Sequence, residues 1–208
     1  MASPKVGQII VIVSGANNLL TEDEIEAVRE EITNSSYLLF QLEIDLNLTM
    51  KALCLAREVG TKTILNLAPA VNSLPEEIYE LTDIFCPNET DAQILTGIKI
   101  DTVESAKLAA QVLLNYGIKT VVITLGRNCC LIVDSQRAIH IPADKIKVVD
   151  KPGAGDCFIG ALAHFLALGL NLEQSATRAV RVSSMSVQGK GTQASFPDRN
   201  DIPVEILN

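Results

Sequence analysis

Short β-branched runs alternate along the chain with longer segments of helical period, and this alternation sets the expected fold class. Residues 9–13 predict a strand. Residues 22–33 predict a helix opened by Thr21, with Glu24 placed to complete a capping box. The apolar run 37–42 comes next, then a helix over roughly residues 48–59 that Gly60 stops. Residues 61–65 and the short run 84–86, closed by Pro87, predict strands. Helices follow near residues 89–95 and 103–116, the second ended by Gly117. Residues 119–125 form the plainest buried strand, since Thr120-Val121-Val122-Ile123-Thr124 are nearly all β-formers. Residues 130–133 and 138–141 predict a hairpin around Asp134-Ser135-Gln136, and residues 146–149 one more strand. Two long helices, 155–168 and 172–187, complete the pattern.

Continuous apolar strands alternating with helices predict an α/β fold: a doubly wound, mostly parallel sheet with helices on both faces. No repeat, low-complexity tract or linker divides the 208 residues, so residues 1–208 read as a single domain. In such sheets ligands bind beyond the carboxyl ends of the strands. The loops after Leu42, Leu65, Cys86, Leu125 and Val149 are therefore the places to search.

Composition narrows the function. A net charge of −8 argues against a nucleic-acid backbone binder. It leaves a nucleotide site open, because such sites use local N–H groups and one or two charges. No apolar run approaches the roughly 18 residues that a membrane helix needs, so a soluble chain in the cytoplasm, or the nucleus, is expected. Five cysteines, none in a C-x-x-C pair, and only two histidines, His140 and His164, argue for buried reduced thiols over a zinc site or a disulfide framework.

The segment Val148-Val149-Asp150-Lys151-Pro152-Gly153-Ala154-Gly155-Asp156-Cys157-Phe158 carries the most chemistry. Glycines let a backbone approach a ligand, and free N–H groups at a helix start hold an anion. Asp156 there fits a base that takes a proton from an attacking hydroxyl. It equally fits a favourable charge on a helix dipole, and the residues alone leave both readings open. A dinucleotide fingerprint fails, because its third glycine falls at Phe158. A P-loop fails too, because Gly189-Lys190-Gly191-Thr192 lacks the upstream glycine.

Gly153-Ala154-Gly155-Asp156 resembles the signature of the ribokinase-like (PfkB) carbohydrate kinases. Other segments resemble that family in the same order: Ser14-Gly15-Ala16-Asn17, Gln41-Leu42-Glu43, Asn66-Leu67-Ala68-Pro69-Ala70, Pro87-Asn88-Glu89-Thr90-Asp91, Thr124-Leu125-Gly126 and Gly191-Thr192-Gln193-Ala194-Ser195. The resemblance implies ATP-dependent phosphorylation of D-ribose at its primary hydroxyl, giving ribose-5-phosphate. It makes Asp156 the catalytic base, and the amides of Gly153, Ala154 and Gly155 the anion hole. Glu43 would hold ribose hydroxyls. Asn88, with Asp91, would face the ATP phosphates and the Mg²⁺ hydration shell, and Thr124 and Gly126 would line the nucleotide. A monovalent cation, K⁺, would sit among Asp150, Pro152, Ser186, Gly189, Gly191 and Ser195. Without the resemblance, Glu43 reads as a solvated strand-end residue, and the asparagine, glycines and Asp150 as ordinary caps and turns.

The sequence departs from the family pattern at four places. Lys151-Pro152 stands where Thr-Thr is usual, and Asp91 replaces a glutamate one methylene longer. Cys129 occupies a position where the family has a second glycine, which is costly if the position needs φ > 0. Val180 stands where relatives have a polar residue near the nucleotide base. The family's N-terminal third is also expected to be absent. It carries a sugar-binding aspartate and a lid that covers the sugar and pairs subunits into a homodimer. Positioning supplies much of the rate in phosphoryl transfer, so weakened turnover is expected. A second reading is a catalytically inactive nucleotide-binding remnant that acts through binding or oligomerisation. An unrelated α/β oxidoreductase is disfavoured by the failed fingerprint.

Overall fold

A computed structural model describes residues 12–69 and 71–207 of the chain. The strand expected over residues 9–13 falls largely outside this range; Ile12 and Val13 are exposed and lie in no strand. Helix α1 (Glu22–Ala27) opens with the expected capping box: Thr21 accepts from the Glu24 N–H, and the Glu24 carboxylate accepts from the Thr21 N–H at 2.8 Å. The single helix expected over 22–33 is broken at Val28, and α2 (Arg29–Thr33) continues beyond it.

Strand β1 (Tyr37–Phe40) leads to α3 (Leu46–Val59), which starts two residues earlier than its apolar period suggests because Asp45 caps it. Gly60, at φ +83°, stops it. Strand β2 (Lys62–Leu67), helix α4 (Glu76–Leu81), strand β3 (Ile84–Pro87), helix α5 (Glu89–Thr96) and helix α6 (Val103–Asn115) follow. The pattern did not reveal α4, whose six residues are too few to show a helical period. Strand β4 (Thr120–Thr124) then joins the hairpin β5 (Cys130–Asp134) and β6 (Ala138–Ile141). Its turn is closed by Asp134 Oδ1, which accepts the N–H groups of Gln136 and Arg137 at 2.8 and 3.0 Å. Helices α7 (Ala154–Ala167), α8 (Leu172–Ser186) and α9 (Val204–Leu207) complete the described chain.

The six strands form one sheet in chain order, β1-β2-β3-β4-β5-β6. Its first three pairings are parallel and the last two antiparallel. Side chains alternate across the sheet. Leu65, Phe85, Val121, Ile123 and Leu131 point to the face covered by α3, α4, α5 and α6. Ile64, Ile84, Cys86, Val122, Cys130 and Ile132 point to the face covered by α7 and α8. Burial on both faces explains why the strands read as continuous apolar runs.

One expected strand is corrected. Residues 146–149 pair with no strand among the described residues, and Val148 and Val149 are both exposed. The N–H groups of Val149 and Asp150 instead donate to the Val187 carbonyl at 2.8 and 3.2 Å, tying the segment to the end of α8. β-branched residues favour a strand only where a ladder partner exists.

Candidate active site

The start of α7 is fixed from below by Phe158, Ile159 and Leu162, all buried against the sheet. Each such side chain contributes about 1.5–3 kcal/mol on burial, so this helix terminus is a rigid platform. Its N-cap, Gly153, sits at φ +81°, and a Cβ there would lie 3.1 Å from the Phe196 ring and 3.3 Å from Thr192 Cα. Only glycine fits. A Cβ on Gly155, by contrast, would meet nothing within 4 Å, so that side of the helix start is open.

Of the three amides assigned to an anion hole, that of Ala154 donates to the Lys151 carbonyl at 3.2 Å. The N–H groups of Gly155 and Asp156 have no acceptor among the described residues. The first bond into the helix runs from Cys157 N–H to the Gly153 carbonyl at 2.9 Å. Asp156 is exposed beside these free donors, and its Oδ1 accepts from Gln41 Nε2 at 2.8 Å.

The carboxyl ends of β3 and β4 supply a second group of residues. Asn88 and Thr124 form an isolated parallel bridge, which places them side by side. Asn88 Oδ1 accepts the Asp91 N–H at 2.9 Å and so caps α5. Asp91 is only 6% exposed, and its Oδ2 has no partner among the described residues. Burial pushes its carboxyl up to about 6, against the hydrogen bonds from Asn88. An orphaned carboxylate oxygen suits a hard cation such as Mg²⁺ or its hydration water. Glu89 is raised by burial as well, opposed by the charges of Lys151 and Arg127. Its Oε2 lies 3.7 Å from where a Cβ on Gly126 would stand.

Cys129 adopts φ +68°, ψ −105°, so the position does demand a backbone that suits glycine. Its carbonyl accepts from the Leu125 N–H at 2.6 Å, and its own N–H donates to the Gly126 carbonyl at 3.1 Å. The Cys130 thiol donates to it, which holds the Cys129 thiol below its ordinary range. Val180 is buried between α8 and the sheet, only 2% exposed.

Around Asp150 the late loop closes on itself. Asp150 Oδ2 accepts the Gly191 N–H and Oδ1 the Lys151 N–H, each at 3.0 Å. Gly189 donates to the Ser186 carbonyl at 3.1 Å, and a Cβ on it would lie 3.0 Å from Ser195 Cβ. Asp150, Ser186, Gly189, Gly191 and Ser195 are thus brought together, while Pro152 lies exposed on the turn before α7. Among the described residues no three His, Cys, Asp or Glu side chains converge as a ligand cluster. A cation here would rest on one carboxylate and backbone carbonyls, a set suited to a monovalent ion, and Gly189 packs tightly against Ser195.

The profile of the pfkB family carbohydrate kinases matches residues 2–199. This chain belongs to the pfkB family. Ribokinase of Mus musculus is 41% identical over 203 residues, covering 96% of this chain and 63% of that protein. Deoxyribokinase of Salmonella typhi is 35% identical over 188 residues, covering 90% and 61%. The structure of Arabidopsis thaliana ribokinase complexed with ribose and ATP superposes with a TM-score of 0.85 at 30% identity, covering 97% of this chain and 66% of that one. The chain therefore spans about three fifths of the length of the curated relatives it matches.

Beyond the end of β1, Glu43 is exposed in a cleft of about 560 Å³ that Asn17, Leu42, Asp45 and Pro69 also line. The Asn17 amide donates to the Glu43 carbonyl at 3.3 Å, joining the Ser14-Gly15-Ala16-Asn17 segment to the loop after β1. Nothing in the sequence signals that Gln41 meets Asp156. Gln41 stood inside the Gln41-Leu42-Glu43 motif, but only folding shows which side chain it meets. The Glu89, Arg127 and Lys151 grouping was missed for the same reason; adjacency to Asn88 and Gly126 was the available signal.

Proposed function

We propose that this chain carries the phosphoryl-transfer machinery of a ribokinase-type kinase, moving the γ-phosphate of ATP to the primary hydroxyl of D-ribose. One observation carries the reading: an Asp156 carboxylate beside a helix N-terminus whose Gly155 and Asp156 N–H groups have no acceptor among the described residues. Asp156 takes the proton as the hydroxyl oxygen bonds to the γ-phosphorus and the bond to the β-phosphate oxygen breaks, releasing ADP. The charge on the transferring group meets the free N–H groups, which are already oriented and cost no reorganisation. Asn88, Thr124 and Gly126 border the nucleotide, and Glu43 holds sugar hydroxyls from the cleft. Mg²⁺ near Asp91 and K⁺ among Asp150, Ser186, Gly189, Gly191 and Ser195 would add positive charge to the phosphates when bound. All five cysteines are free thiols, which agrees with a reducing compartment, the cytoplasm or nucleus.

A second reading, nucleotide binding without transfer, is favoured by the strained Cys129 and the shorter Asp91. ADP release measured with ATP, Mg²⁺, K⁺ and D-ribose, beside an Asp156→Ala control, separates the two. Ribose-dependent turnover that vanishes in the variant supports the kinase. ATP binding with no ribose-dependent ADP release selects the second reading.

A further inference from the structure

We infer that Gln41 is the positioning residue for Asp156, holding one carboxylate oxygen so that the other faces the attacking hydroxyl. The inference rests on the kinase reading above. Gln41 lies one residue past β1 and Asp156 in the first turn of α7, 115 positions apart in sequence. The 2.8 Å separation of Gln41 Nε2 from Asp156 Oδ1 is that of a strong N–H···O⁻ bond. An ionised carboxylate only accepts, so the amide must turn its NH₂ toward it. Asp156 has no other side-chain partner among the described residues.

Both ends of the bond stand on firm ground. Phe40, next to Gln41, is buried, and so are Phe158 and Ile159 just beyond Asp156. The side chains themselves are exposed, so the bond contributes little to burial and its effect falls on orientation. With Oδ1 engaged, Oδ2 is the free basic oxygen, and rotation of the carboxylate is restrained. Loss of such restraint at a reacting group is expensive, because misplacement by an ångström costs up to about a hundredfold in rate.

The test is Gln41→Met, which keeps the length and shape of the side chain and removes the donor. Turnover is expected to fall about tenfold or more with KM for ATP nearly unchanged. A purely structural stitch between β1 and α7 would instead lower the melting temperature of Gln41→Met and leave the turnover of the folded protein unchanged. The side-chain amide resonance of Gln41 gives a readout independent of activity. It should move in Asp156→Ala and stay in place in Asp134→Asn at the distant hairpin turn. A resonance indifferent to Asp156→Ala, or wild-type turnover in Gln41→Met, overturns the inference. Turnover that survives Asp156→Ala defeats the kinase reading instead, while the resonance still reports on the bond.

Discussion

Asp91 should make the protein's stability fall as pH rises from 3.8 through about 6, and Asp91→Asn should remove that dependence. The carboxyl is 6% exposed with one oxygen unpartnered, and burial raises it from 3.8 to about 6. The folded state therefore holds its proton more tightly than the unfolded chain does. Its stabilising contribution is fully present below pH 3.8 and is lost as pH rises through about 6. The full span of roughly two pH units corresponds to about 3 kcal/mol. Between pH 8 and pH 5 the part recovered is about 1.4 kcal/mol. Urea unfolding of both proteins at pH 8, 7, 6 and 5 measures it. The wild-type curve should gain about that amount relative to Asp91→Asn on acidification. The absolute offset between them is less informative, because an asparagine brings its own buried amide. Parallel curves across this range would show that Asp91 is solvated or paired in solution, and the argument from its orphaned oxygen would fail.

Two other substitutions test the backbone of the site. Cys129→Gly should stabilise the fold by about 1 kcal/mol net, since φ +68° with ψ −105° strains any side-chain-bearing residue and only a half-buried thiol is lost; a lowered melting temperature would mean that thiol packing outweighs the strain. Gly153→Ala should cost about 1–2 kcal/mol through its φ of +81° and the approach to Phe196, and should weaken ATP binding measured by calorimetry. Wild-type stability together with wild-type affinity would contradict the close packing described at that turn.

Much of this protein was legible before folding was considered. Continuous apolar strands announced a sheet covered on both faces, because both faces exclude water and no polar alternation remains. Thr21 with Glu24, and Gly60, marked helix ends because capping is satisfied within a few residues. Gly153-Ala154-Gly155-Asp156 marked the helix start for the same local reason. Even the backbone demand at Cys129 was anticipated from the glycine expected there. Other features depended on partners distant in sequence. Residues 146–149 have strand composition, yet whether a β-branched run joins a ladder is decided by what lies beside it, and here α8 does. Asp91 looks like any first-turn aspartate, and its raised carboxyl comes from the side chains that close over it. Ala154 offered an amide on paper that the Lys151 carbonyl takes in the turn. Gln41 and Asp156 meet across 115 positions, a proximity that no local pattern encodes. Local chemistry named the groups; long-range packing decided which of them touch.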